Sequence, residues 1–290
     1  HFPTTPGLGL PSEFRGLTYI RRYRRCSNLR LDCVMLSTCY LARCEMPELP
    51  ITSDIFLLLV TTSFIASILT ASVGIGGGTL VLAVLVVTVP IAAVVPLHSV
   101  VQLGSNTGRA MMTRPHVSMR LFWPLVIGAL IGTLAAAPFS AFWLNEIQLT
   151  LLLAGFTLLV TWVPIPAIKT HRRSHNLLFS IGISFIGVFV SATGPLIAAY
   201  LRHQAANRQE LVATMAASVS TMNFLRIVLF SGLGFVWYDW LVPLSAMIAA
   251  GFGGTLIGLQ LLGRLPEKLF QTLLKLLLTT LAILMIIRVM

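Results

Sequence analysis

The sequence predicts an all-α polytopic membrane protein with about eight membrane segments in two homologous halves, each with a broken or re-entrant helix. Three observations carry this prediction: the composition, a glycine cluster inside the first apolar run, and the similarity of the two halves. Of the 290 residues, 56% are hydrophobic and only 10% are charged, whereas soluble proteins carry about 25% charged residues. A chain this apolar predicts several segments within a lipid bilayer.

The excess of basic residues fits the loops of a membrane protein. The chain has 20 Lys and Arg against 9 Asp and Glu, a net charge of +11, which in a soluble protein would suggest nucleic-acid binding. Here the basic residues cluster in short segments between apolar spans, as expected of cytoplasmic loops. We therefore expect the lipid bilayer and no nucleic acid among the partners.

A glycine cluster interrupts the apolar run from about Ile55 to Val89. A continuous helix would rise about 1.5 Å per residue and overshoot a hydrocarbon core of about 30 Å, so the chain must break or turn back. A helix resuming at Thr79 directs its positive dipole end and its free N–H groups at the break, which suits an anion. The residues that supply the break are Gly74, Gly76, Gly77 and Gly78.

Two other interpretations of the glycine cluster fit less well. A dinucleotide-binding loop needs a preceding soluble strand and an acidic residue about 20 positions on, where His98 and Ser99 stand instead. Close packing of membrane helices through small residues is common, but four glycines in five positions exceed what packing needs. We therefore favour a discontinuous helix and expect no cofactor.

Residues 1–50 differ from the rest of the chain. They hold seven arginines, four acidic residues and all four cysteines, and they contain no apolar span, so we predict a basic, disordered N-terminal extension. The cysteines lack the CxxC spacing of a zinc or thioredoxin-like site. No apolar signal-peptide region precedes Pro47.

The body of the chain divides around one polar linker. We assign residues 51–168 to a first membrane repeat, 169–176 to a basic linker loop and 177–290 to a second membrane repeat. His171 and His175 in the linker have metal-compatible helical spacing, but the neighbouring arginines would repel a cation. We therefore expect a cytoplasmic loop there and no metal site.

The two halves resemble each other along their length. Ser63–Gly74 aligns with Ser184–Gly194 at an offset that is 121 residues near the start, and the second half is interrupted at 191–195. Two Asn-x-x-Arg motifs align further on, at an offset of 117 residues: Asn106 to Arg109 and Asn223 to Arg226. Duplicated halves with a broken helix in each are typical of secondary transporters whose site lies between the halves.

Two arginines lie within apolar segments, where a charge is costly. Arg226 has no acidic residue in its segment after Glu210, so it either faces a substrate or anchors at the interface. Arg109 either faces a substrate or extends to the interface, since further basic residues follow it. Asn106 and Asn223 would supply neutral donors or would join helices to each other.

His98 also lies within an apolar segment. We expect it to be a buried neutral histidine bonded to a backbone carbonyl, with a proton relay as the alternative. The five tryptophans lie near segment ends, where indoles favour the membrane interface.

The glycine break, the duplicated halves, the Asn-x-x-Arg motifs and the Gly- and Pro-containing later spans together resemble the TauE/SafE sulfite exporter family over roughly residues 55–289. Members of that family are described as moving sulfite, thiosulfate, sulfonates or related anions across the cytoplasmic membrane. The resemblance implies a secondary transporter that exports a small anion across a bacterial cytoplasmic membrane. The candidate substrate-binding residues are Gly74, Gly76, Gly77, Gly78, Asn106, Arg109, Thr193, Gly194, Asn223 and Arg226.

One departure from the pattern concerns the second break. It has Thr193 and Gly194 where the first half has a glycine cluster. The two halves of the site are therefore not expected to be chemically equivalent.

An integral-membrane enzyme and a passive anion channel remain the alternatives. An enzyme needs a nucleophile or an acid–base pair at membrane depth, but Asp and Glu occur only at segment ends and no Ser–His pair stands out by spacing. No GxxxxGK[ST] loop is present, so direct ATP drive within this chain is not expected. The sequence does not distinguish a channel from a carrier.

Charge alone does not assign the orientation of the halves. The basic residues at 109–120 and 169–173 agree with a cytoplasmic N-terminus if 79–89 is re-entrant, but those at 202, 208, 264 and 268 then fall outside. If the second half is inverted relative to the first, the second set of basic residues becomes cytoplasmic, but the basic loop at 169–173 does not.

Overall fold

The computed structural model describes residues 51–73, 76–140, 146–163, 173–191, 193–260 and 267–287. These ranges contain ten α-helices and no strand, which confirms the predicted all-α fold class. The N-terminal extension 1–50 with its cysteines, Gly74 and the linker residue His171 lie outside the described residues.

The ten helices follow the same order in each half: a long helix, a short one after the break, and three more long ones. The first half contains α1 (Ser53–Val73), α2 (Gly77–Thr88), α3 (Ile91–Met112), α4 (Met119–Ser140) and α5 (Glu146–Trp162). The second contains α6 (Arg173–Val190), α7 (Gly194–Leu201), α8 (Arg208–Gly232), α9 (Leu241–Gln260) and α10 (Glu267–Ile287).

Five of the described helices are long and apolar enough to cross a membrane: α1, α4, α6, α8 and α9. α3 has a comparable length, but its His, Gln, Asn and Arg side chains make it more polar. These side chains face the interior of the protein, where polar residues of membrane helices belong.

The first helix of each half packs against the fourth helix of the other half: α1 against α9, and α6 against α4. On α9, Gly254 and Gly258 lie so close to the backbone of α1 that a Cβ would collide with carbonyl oxygens there. Gly128 and Gly132 on α4 make the same close approach to α6. Small residues four apart let membrane helices approach closely, so both glycine seams join the two halves.

α3 and α8, the third long helices of the two halves, pair along the centre of the protein in opposite directions. Thr107 donates a hydrogen bond to Ser220 (3.4 Å), and the backbone N–H of Ser118, just beyond α3, donates to Thr214 (2.9 Å). The residue numbers of the contacts on α8 therefore decrease as those on the α3 side increase, so the two helices are antiparallel. Because α3 and α8 are equivalent helices, the two halves have inverted topology.

The short helix of each half turns back instead of continuing across. Tyr200, at the end of α7, donates a hydrogen bond to Asn176 near the start of α6 (2.7 Å) and stacks on Phe179 with ring centroids 3.7 Å apart. α7 therefore returns toward the face where α6 began. In the first half α2 likewise packs against α1, with Gly77 beside Ala66.

These two turns place most of the described basic residues on one face. The face carries the loop after α3, the starts of α4 and α6 and the loop after α7, together with Glu210 at the start of α8. Its basic residues are Arg114, Arg120, Arg173 and Arg202. Asp54 and Asp239 lie at the opposite face. We call the face that carries the four arginines the basic face. Because α7 does not cross the membrane, Arg202 in the second half lies on the same face as Arg114 and Arg120 in the first, which removes the conflict that charge alone left for this loop.

Candidate functional site

The tips of the two re-entrant segments meet at a cavity of about 40 Å³ in the middle of the α3–α8 pair. One water molecule needs about 10–15 Å³ on this measure, so the space suits a small ion. The described residues that line it are Thr70, Gly76, Gly78, Thr79, His98, Gln102, Asn106, Ser191, Gly194, Pro195, Met215, Val219 and Asn223.

α3 and α8 each present one face to this cavity. His98, Gln102 and Asn106 follow each other at four-residue spacing on α3, and Met215, Val219 and Asn223 do so on α8. Residues four apart share one face of an α-helix. The first half therefore supplies the more polar wall, and the two walls are chemically unequal.

The first break is built on glycine geometry. Gly76 precedes α2 with a φ of 108°, in the left-handed region that glycine adopts without strain. Its carbonyl accepts hydrogen bonds from the Thr79 hydroxyl (2.6 Å) and from the Leu80 N–H (3.2 Å). The N–H groups of the first turn of α2 have no partner within the helix, and Gly78 and Thr79 line the cavity.

The second break depends on Ser191, which ends α6. Within the described residues it is the non-glycine residue with a positive φ, 62°. This conformation costs on the order of 1–3 kcal/mol and is kept where the surroundings enforce it. Its N–H donates to the Gly187 carbonyl (2.9 Å), and its side chain faces the cavity.

His98 joins the two breaks. Its Nε2 is 2.8 Å from the carbonyl oxygen of Gly78 in the first half, and its Nδ1 is 2.7 Å from the hydroxyl of Ser191 in the second half. A carbonyl oxygen only accepts hydrogen bonds, so this contact assigns a hydrogen to Nε2. The side chain is 1% exposed, and the expected bond to a backbone carbonyl is present.

Arg226 stabilises the second break from the side that faces away from the cavity. Its guanidinium donates to the Ser191 carbonyl (3.0 Å), to Asn223 Oδ1 (2.9 Å) and to the Thr193 hydroxyl (3.0 Å). Arg226 does not line the cavity, so its charge lies just behind the wall. A direct contact between Arg226 and substrate stays a prediction.

The Arg226–Asn223 bond also orients a free donor. Because Asn223 Oδ1 accepts from the guanidinium, Nδ2 is turned away from it; although it is buried, Nδ2 has no hydrogen-bond partner among the residues that the structure describes. Asn223 lines the cavity. Buried donors without partners are uncommon and need an explanation.

Arg109 is equivalent to Arg226 in the alignment but not in its surroundings. It is 2% exposed, and none of its three guanidinium nitrogens has a hydrogen-bond partner in the part of the chain that the structure describes. The alternative that it extends to the membrane interface is therefore wrong, because a side chain extended to the interface would be exposed.

The nine described candidate residues from the sequence fall into four groups. Gly76, Gly78, Asn106, Gly194 and Asn223 line the cavity, while Thr193 and Arg226 support the second break. Gly77 packs against α1, and Arg109 is buried without a bonded partner. Gly74 is outside the described residues.

Eight described residues of the cavity wall are absent from the substrate-binding candidates that the sequence suggested: Thr70, Thr79, His98, Gln102, Ser191, Pro195, Met215 and Val219. The four-residue spacing of His98, Gln102 and Asn106 within an apolar helix was the available signal for two of them. Ser191 carried no such signal, because its strained backbone is not visible in the sequence.

Comparison with known proteins identifies the family. No curated protein and no solved structure matches the chain. The family described as Sulfite exporter TauE/SafE matches residues 59–285, a range that begins within α1, ends within α10 and contains every described residue of the cavity wall. The chain therefore belongs to the sulfite exporter TauE/SafE family.

Proposed function

We propose that this protein is a secondary transporter that exports a small sulfur oxyanion, with the central cavity as its substrate site. The observation that carries the proposal is the meeting of two re-entrant tips, one from each inverted half, at a single cavity. Inverted repeats with broken helices at their interface are the usual architecture of an alternating-access site.

The cavity offers an anion hydrogen-bond donors and a nearby positive charge. An anion that loses its hydration needs hydrogen-bond donors and positive charge in return. The N–H groups of the first turn of α2, which have no partner within the helix, and the unpartnered Nδ2 of Asn223 supply donors. Arg226 supplies positive charge behind the wall. Among the described residues, no acidic side chain lines the cavity.

The size of the cavity favours a compact substrate. A volume of about 40 Å³ is roughly that of three water molecules on the same measure. Sulfite, with four heavy atoms, fits this space better than an organosulfonate with a bulky organic group. We therefore rank sulfite and thiosulfate ahead of the larger sulfonates.

The contact between Ser191 and His98 invites comparison with a hydrolase, in which a histidine activates a serine nucleophile. In such enzymes the other imidazole nitrogen is commonly held by a carboxylate, whereas here Nε2 meets the Gly78 carbonyl. The small cavity also lacks room for an acyl substrate. Both observations favour a transporter over the enzyme alternative.

The test is uptake into proteoliposomes. We expect saturable uptake of radiolabelled sulfite and thiosulfate, slower uptake of a bulky sulfonate, and loss of uptake in Asn223→Leu. Leu removes the free donor and fills the cavity. Gly155→Leu on α5 is the matched control, since a Cβ there meets nothing within 4 Å. Absence of uptake by the unmodified protein for all three anions would contradict the proposal, and non-saturable flux would indicate a channel.

A further inference from the structure

We propose that His98 binds a coupling proton, so that one proton and the anion occupy the cavity together and cross as a pair. The inference rests on the proposed function, because it concerns the same cavity. It assigns to that cavity a second ligand, the proton, and a residue that receives it.

The hydrogen-bond geometry determines where the added proton goes. Nε2 already carries a hydrogen, which points at the Gly78 carbonyl (2.8 Å). The lone pair of neutral His98 is therefore on Nδ1, where it accepts from the Ser191 hydroxyl (2.7 Å). An incoming proton binds Nδ1 and breaks no other bond to the ring.

Ser191 can adjust to the charged ring. Once Nδ1 carries a proton it donates to the Ser191 oxygen, so the hydroxyl hydrogen of Ser191 must turn to another acceptor. The Ser99 hydroxyl lies 3.4 Å from that oxygen and already donates its own hydrogen to the Val95 carbonyl (2.8 Å). Ser99 can therefore accept, and protonation leaves no new unpaired hydroxyl.

The charged form needs an anion. Arg226 on α8 is the charged group facing the same tip, since it bonds the carbonyl of Ser191, and α2 and α6 present the Gly78 carbonyl and the Ser191 hydroxyl. The described acidic side chains lie at helix ends away from the cavity wall: Asp54, Glu210 and Asp239. A second positive charge beside Arg226 is unfavourable until an anion enters, so proton and anion strengthen each other's binding reciprocally.

The stoichiometry follows from the asymmetry of the walls. At the offset of 117 residues that aligns the Asn-x-x-Arg motifs, Met215 on α8 is the equivalent of His98. A thioether does not titrate, so the cavity accepts a single proton. Because the imidazole bonds both tips, this proton is placed where the two re-entrant segments must separate during transport.

Isothermal titration calorimetry of the purified full-length protein tests the proposal. The probe is thiosulfate, whose charge is constant between pH 5.5 and 7.5, in paired buffers of different ionisation enthalpy. We expect uptake of one proton per anion near pH 7.5 and an affinity that rises at least tenfold from pH 7.5 to 5.5. Full linkage of one proton gives a factor of about ten per pH unit.

The decisive variant is His98→Gln. Its amide can donate to Gly78 and accept from Ser191 as the neutral ring does, so thiosulfate should still bind, without proton uptake and with less than a twofold change across pH. His98→Asn offers the same groups on a shorter side chain if Gln disturbs folding. His116→Gln, at an exposed histidine, should retain the full proton uptake.

The outcomes separate the two proposals. Thiosulfate binding by the unmodified protein without proton uptake, or uptake that persists in both His98 variants, overturns the coupling role and leaves the transport site standing. No binding of thiosulfate, sulfite or methanesulfonate at any pH overturns the proposed function, and the coupling role with it.

Discussion

Arg109 and Arg226 show how equivalent residues acquire different roles in an inverted repeat. Arg226 bonds three acceptors around the second break, whereas all three guanidinium nitrogens of Arg109 lack partners. Both side chains are fully buried. The alignment predicts that the two arginines are equivalent. Only Arg226, however, has the Ser191 carbonyl and the Thr193 hydroxyl of the second break as acceptors.

Replacing Arg226 should weaken anion binding without preventing membrane insertion. Arg226→Gln removes the positive charge behind the cavity, so we expect thiosulfate affinity to fall at least tenfold, or about 1.4 kcal/mol. Arg226→Lys should restore only part of the loss, because an ammonium cannot reproduce a planar fork that bonds three acceptors. Calorimetry on the purified variants measures both. Unaltered affinity in Arg226→Gln would show that the helix tips alone hold the anion.

Replacing Arg109 with an apolar residue should increase the stability of the protein. A buried guanidinium without partners is destabilising, so Arg109→Met is expected to stabilise the protein by about 1–4 kcal/mol, as apolar replacements of buried charges often do. The thermal midpoint in detergent, compared with that of Arg226→Met, checks this. If Arg109→Met lowers the midpoint as Arg226→Met does, Arg109 makes a stabilising interaction.

Some features of the site can be predicted from the spacing of residues in the sequence, and others cannot. The repeated Asn-x-x-Arg motifs led to Asn223, whose free amide lines the cavity. The bond between His98 and Ser191 joins residues 93 positions apart. Nothing in either local sequence indicates such a pairing, since it results from how two re-entrant tips meet.

At the scale of the helices, the breaks were predictable because the physical cause is local. Glycine permits the backbone of Gly76, and the bilayer thickness forbids one continuous helix through 55–89. The direction in which α2 and α7 leave their breaks was not predictable. It depends on packing such as the contact of Tyr200 with Asn176, which no periodicity encodes.

The close approach of α2 to α1 predicts a sharp effect of substitution at Gly77. A Cβ at this position would overlap the Ala66 carbonyl and the Thr70 hydroxyl, so Gly77→Leu should displace the first tip and abolish sulfite uptake. Insertion should be unchanged, since it depends on summed apolarity. Proteoliposome uptake and membrane yield are the measurements, with Gly155→Leu as the control. Normal uptake by Gly77→Leu would contradict the packed, re-entrant arrangement of α2.

At the scale of the whole molecule, we expect the basic face to lie toward the cytoplasm, because basic residues are enriched in the cytoplasmic loops of membrane proteins. To test this, Cys26, Cys33, Cys39 and Cys44 are first replaced by serine. Tyr238→Cys should then react with a membrane-impermeant maleimide in intact cells, and His203→Cys only after permeabilisation. Both positions are exposed. The reverse pattern would invert the orientation, and labelling of both from one side would contradict the assignment of α8, which lies between the two positions, as a membrane-crossing helix.

The N-terminal extension is not expected to contribute to transport. Residues 1–50 lie outside the repeat and outside the range matched by the family, which begins at residue 59. A chain that starts at residue 51 should therefore retain sulfite uptake within about twofold in proteoliposomes, by the same reasoning that makes termini tolerant of truncation. Loss of uptake by well-inserted, truncated protein would assign a function to the extension.

The exchange of helices across the two glycine seams has a consequence for how the protein is made. α1 is synthesised before the other described helices, yet the glycines that receive it, Gly254 and Gly258, belong to α9, the ninth of the described helices in order of synthesis. Until α9 is inserted, the face of α1 that packs on Gly254 and Gly258 has no permanent neighbour in the bilayer. Assembly of the first half must therefore wait for the second, and a chain interrupted before α9 presents an unfinished surface that membrane quality control can recognise.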